Sequence, residues 1–161
     1  MTLGGVKLDF GGIGYLYPGY DSRVGQPGTL DFAEIYVRAS TEIGPVTLLG
    51  GFSYAPNFFG RSGTGYYLEG GFDWKTGVFD LTLGGRVAYQ WIQRNPVFGT
   101  PDYLWWGLTV SREFPVAGIG TLVLTAGYFQ TNISRRDCVP TAIGGQNLCE
   151  ARAYGAVAFR F

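Results

Sequence analysis

An all-β fold, an antiparallel transmembrane up-and-down β-barrel of eight strands in one domain over residues 1–161, is predicted by two regularities and a compositional bias. Apolar and polar residues alternate over stretches of about ten, the length that crosses a bilayer at a tilt. The connections between those stretches alternate long and short. Charge is scarce, at 15% of residues, whereas aromatics reach 17% and the chain holds 27 glycines. Net charge is zero, which argues against an electrostatic nucleic-acid binder. No run of about 18 apolar residues is present, so a helical span is excluded while a barrel is not.

The alternation is clearest from Val78 to Ile92. Phe79, Leu81, Leu83, Val87, Tyr89 and Trp91 share one face; Asp80, Thr82, Arg86 and Gln90 share the other. Successive side chains of a strand point to opposite faces, so one face is apolar and ends in an aromatic girdle. The same reading predicts strands over 5–17, 30–40, 45–55, 65–75, 102–114, 119–131 and 150–161. In strand four, Tyr66, Leu68, Phe72 and Trp74 alternate with Tyr67, Glu69, Asp73 and Lys75. In the last strand, Val157, Phe159 and Phe161 face outward against Arg152, Tyr154 and Arg160.

Short turns are expected at 41–44, 76–77 and 115–118, and longer loops at 18–28, 56–64, 94–101 and 132–149. Membrane barrels show this asymmetry, with brief periplasmic turns at one rim and longer external loops at the other. Both termini are then periplasmic and the compartment is the bacterial outer membrane. Met1-Thr2-Leu3-Gly4-Gly5 enters a strand pattern with no secretory signal ahead of it. The chain is therefore expected to be either mature or without its true start. A soluble barrel would turn its apolar face inward and solvate the other; here the other face is poor in Lys and Glu, which favours a crowded polar lumen.

The lumen-lining charges expected from this pattern are Lys7, Asp9, Glu34, Arg38, Glu69, Asp73, Lys75, Asp80, Arg86, Arg152 and Arg160. Buried charges require partners, so these are expected to pair across the interior. Cys138 and Cys149, in a loop of a chain without histidine, predict a disulfide rather than a metal site. The missing histidine also removes the usual proton-transfer group, and the glycine pairs lack the helix and lysine of a phosphate loop. No enzyme, cofactor or metal is expected.

Several segments resemble the TorF-like porin family of bacterial outer-membrane proteins. They are Gly14-Tyr15-Leu16-Tyr17-Pro18-Gly19, Phe32-Ala33-Glu34-Ile35-Tyr36, Phe52-Ser53-Tyr54-Ala55-Pro56-Asn57-Phe58-Phe59-Gly60, Tyr66-Tyr67-Leu68-Glu69 and Asp102-Tyr103-Leu104-Trp105-Trp106. The resemblance implies an outer-membrane porin passing small solutes or ions, with further strands ahead of the Tyr-Pro-Gly segment. Tyr154, Phe159 and Phe161 resemble the C-terminal signal read by the barrel-assembly machinery, with Gly155 standing one place earlier than that signal's glycine. Lipids, that machinery and small solutes are the expected partners. A closed eight-stranded barrel acting through its external loops is the second reading.

Overall fold

Alternating side chains have produced strands throughout. The computed structural model describes residues 1–18, 30–94, 101–138 and 149–161. Within them the chain forms nine strands: β1 (Thr2–Leu3), β2 (Val6–Tyr15), β3 (Phe32–Ile43), β4 (Val46–Ala55), β5 (Gly65–Lys75), β6 (Leu81–Ile92), β7 (Tyr103–Val116), β8 (Gly120–Thr131) and β9 (Arg152–Arg160). They form a single antiparallel sheet in sequence order, β1 to β9. A 3-10 turn at Phe59–Arg61 and one helical turn, α1 (Arg135–Cys138), lie between strands. No helix of the described residues is long and apolar enough to cross a membrane.

The expected closed barrel is replaced by an open sheet. No pairing joins β9 to β1 or β2 among the described residues, so the sheet has two free edges. The extra strand, β1, turns back on β2 through Gly4 and Gly5, both at positive φ. Met1 and Leu8 exchange backbone hydrogen bonds at 2.9 and 2.7 Å. This covers only the start of the β2 edge, since the register ends at Thr2↔Lys7.

The tight turns differ from expectation in ways that the backbone explains. β3 runs on to Ile43 and the hairpin turns on Gly44-Pro45 alone, with Gly44 at φ 58°. Positive φ at the first turn residue matches strand twist, and glycine takes it without a Cβ clash. β6 begins at Leu81 rather than Val78, because Phe79 and Asp80 both take positive φ and Leu81 N–H donates to the Val78 carbonyl at 3.1 Å. Asp80 is therefore a turn residue at the rim, not a strand residue of the polar face. Pro115 lies inside β7; β6 pairs only as far as Leu81↔Arg112, so the missing N–H falls where β7 is an edge on that side. The tight turns, Met1 and Phe161 all share one rim. Of the long loops expected at the other rim, 19–29, 95–100 and 139–148 lie outside the described residues.

Register sorts the side chains into two faces. Across one face run rows such as Val37↔Phe52↔Leu68↔Tyr89↔Leu104 and Leu81↔Arg112↔Leu124↔Val157. Nothing among the described residues covers this face: Phe10, Ile35, Leu108 and Val157 are 68, 63, 60 and 73% exposed. Among described residues, the buried apolar side chains are only Ala55, Ala88, Val123 and Cys138. The total accessible surface is 10931 Å², against about 7,900 Å² for a compact monomer of this size. The sheet has no apolar core of its own.

Candidate functional site: the polar face of the sheet

Small residues on the opposite face let long ones reach over them. Strands two places apart are about 9.5 Å distant, yet Arg38 Nε on β3 donates to Glu69 Oε1 on β5 at 3.2 Å. Gly51 lies between them in register. A Cβ there would come within 2.7 Å of Glu69 Oε1 and 3.2 Å of Arg38 Cγ. The Arg38 guanidinium also lies over the Tyr36 ring, 4.9 Å from its centroid. In the same way, Trp105 Nε1 on β7 donates to Tyr67 Oη on β5 at 2.9 Å, diagonally across β6, where Ala88 is in register with Trp105 and Gln90 with Tyr67. Arg160 on β9 reaches Glu113 on β7 at 2.9 Å, across Val123.

Arg86 uses both of its terminal nitrogens. One terminal nitrogen donates to both Asp73 carboxylate oxygens at 2.8 Å. The other donates to the carbonyls of Phe72 at 2.6 Å and Gly85 at 3.0 Å. Gly71 and Gly84 leave room for this cluster: a Cβ on Gly84 would sit 2.9 Å from Asp73 Oδ1, and one on Gly71 would strike the Gly85 carbonyl oxygen.

The charges expected on the polar face fall into three levels. Near the tight-turn rim, Lys7 pairs with Glu42 at 2.7 Å and Arg160 with Glu113. Midway are Arg38–Glu69 and Arg86–Asp73. Toward the long-loop rim, Tyr15 donates to Glu34 Oε1 at 3.1 Å, and Gln90 Nε2 donates to the Tyr66 and Trp91 carbonyls. Asp9 lies in register with Arg38 but makes no hydrogen bond or ion pair among the described residues, and neither does the ammonium of Lys75. Arg152 is opposite Phe129 in the β8–β9 register. Asp80 is drawn away from this face: its carboxylate lies 3.8 Å from Arg112, which belongs to the apolar face.

The Tyr154 ring covers Gly127 on the polar face, while Phe159 is opposite Leu122 on the apolar one. Phe161 extends past the strand, its ring 6.4 Å from that of Phe159. At the long-loop rim Phe32 stacks on Tyr15 at 4.4 Å and meets Phe58 at 4.8 Å, joining the starts of two loops. Ser134 accepts from the Asp137 N–H and opens α1, whose last residue, Cys138, is bonded to Cys149 with Cα atoms 5.8 Å apart. The expected disulfide is present. No group of three or more potential metal-ligating side chains occurs among the described residues.

Sequence reading missed the Tyr67–Trp105 bridge, the glycines beneath the ion pairs, and Arg112. The last had a signal: the even positions Leu104, Trp106, Leu108 and Val110 continue in step to Arg112.

Fold and face chemistry together define a class: a single antiparallel meander sheet with one apolar face, one polar face of interlocked ion pairs, and no core of its own. Within that class the chain belongs to the family described as bacterial protein of unknown function (Gcw_chp), which it matches over residues 1–154. No curated protein and no solved structure gives a match.

Proposed function

We propose that this protein is a passive outer-membrane channel, in which the sheet curls with its polar face inward and passes small solutes or ions along a lining of both charge signs. The observation that carries this reading is the segregation of faces over eight successive strands, with no layer of described residues on either side. An uncovered apolar face of this extent is stable only against lipid or another apolar surface. Unpaired strand edges are not tolerated in hydrocarbon, so β2 and β9 must be paired there. Eight strands close on an interior that side chains fill; conduction therefore calls for a wider barrel, with more strands between β9 and β2. The tight-turn rim and both chain ends are periplasmic in this arrangement. No covalent chemistry is involved, in keeping with a chain that has no histidine.

A second reading has its own support. The glycines beneath Arg38, Arg86 and Tyr154 show how tightly the polar face is packed, as in a closed eight-stranded barrel that acts through its external loops. Planar-bilayer conductance of protein extracted from its native membrane, with its intact mass, separates the two. The channel reading expects discrete conductance, altered in ion preference by Arg86→Ala. A silent bilayer from a protein of this chain's mass would leave the structural barrel in its place.

A further inference from the structure

Arg112 is the one charged strand residue on the apolar face among the described residues. Its neighbours in register are Leu81 on β6 and Leu124 on β8, and Val110 and Phe114 flank it on its own strand. A guanidinium has five N–H donors, and this one makes no hydrogen bond among the described residues. Its Nε is buried without a partner. Phe114 holds the group from one side, 4.9 Å from ring centroid to guanidinium carbon. Its nearest anion, Asp80, stands 3.8 Å off and is 86% exposed. At that distance and exposure the pair is weak. Level with the first residue of β6, the guanidinium lies near the tight-turn rim, within the band where long basic side chains reach the headgroup layer.

We propose that Arg112 binds the phosphate of an anionic phospholipid in the leaflet at the tight-turn rim, with acyl chains against Val110, Leu124 and Leu108. The inference rests on the membrane reading above. A planar fork of unused donors suits two phosphate oxygens, and the exposed apolar residues around it suit the chains attached to that phosphate. Asp80 then acts as a competitor that the lipid displaces.

The test uses the full chain in vesicles and then native mass spectrometry of the extracted protein. Phosphatidylglycerol and phosphatidylcholine with identical chains are the probes, with inorganic phosphate as a third arm. The wild type is expected to retain phosphatidylglycerol over phosphatidylcholine by roughly fivefold, the factor one basic residue near an anionic leaflet supplies. Arg112→Gln should insert equally well and lose that preference, whereas Asp80→Asn should raise it. Equal retention by wild type and Arg112→Gln, with both inserted, would overturn the site and leave the membrane reading standing. Displacement by millimolar inorganic phosphate would overturn the lipid as ligand. Failure of the wild type to enter vesicles would remove both.

Discussion

Trp105 and Tyr67 sit on strands that are not neighbours, yet the indole N–H of one meets the hydroxyl of the other at 2.9 Å. On β6, which lies between them, Ala88 is in register with Trp105 and Gln90 with Tyr67, and Ala88 is 2% exposed. A methyl group is all that this position holds, and it is what lets β5 and β7 touch.

Tyr67→Phe should therefore leave the indole donor without its partner and cost about 1 kcal/mol. Ala88→Leu, which keeps both partners but fills the gap between them, should cost more, about 1–3 kcal/mol. Urea unfolding in detergent micelles reads both. Equal midpoints for Ala88→Leu and wild type would mean that the bridge is not held where it is described.

Gly70 and Gly71 are adjacent and point to opposite faces. A Cβ on Gly70 would make an ordinary contact, 3.9 Å from the Leu49 carbonyl oxygen, while on Gly71 it would strike backbone oxygen and stand 2.6 Å from Arg86 Cδ. Gly70→Ala is expected to be neutral within about 0.5 kcal/mol and Gly71→Ala to lose about 1–3 kcal/mol. The same unfolding assay, run on both variants, would refute the assignment of faces if their order were reversed.

Two ion pairs should respond differently to substitution of one partner. The Lys7–Glu42 side chains are about two-thirds exposed, at 65 and 64%, so Lys7→Ala should leave the unfolding midpoint unchanged. Arg86→Lys keeps the charge but not the fork that serves Asp73 and two carbonyls, and should cost about 1–2 kcal/mol. If Arg86→Lys proved as stable as wild type, charge rather than geometry would be what matters there.

Thiol labelling checks the loop closure. Without reductant, denatured protein should take up no maleimide; after reduction it should take two, one on each of Cys138 and Cys149. Labelling of the unreduced protein would contradict the bond.

Much of this fold is legible in the residues alone. Period-two alternation sorts Tyr66 from Tyr67 and Phe72 from Asp73, because pleating admits no other arrangement. Turn chemistry is partly legible: Gly44-Pro45 is a turn signal, whereas positive φ at Phe79 and Asp80 comes from residues that rarely adopt it. Alternation by itself therefore puts Asp80 on a strand. Partners two strands apart are not legible, since Arg38 finds Glu69 only through the register of two successive hairpins. Nor is closure, because alternation determines which way side chains point and is silent on where the outer strands end.

Every joint in this sheet, from β1–β2 to β8–β9, links strands that are consecutive along the chain. Assembly can thus proceed hairpin by hairpin, each step closing only a short stretch of polypeptide. In the closed barrel proposed above, pairing of Val6–Tyr15 and Arg152–Arg160, whether with each other or with added strands, is the step that local zippering cannot supply. It should come last and set the rate of maturation. Until it occurs, each molecule carries two templates on which another chain can pair, so the time spent waiting for that final seam governs how much of the protein is lost to aggregation.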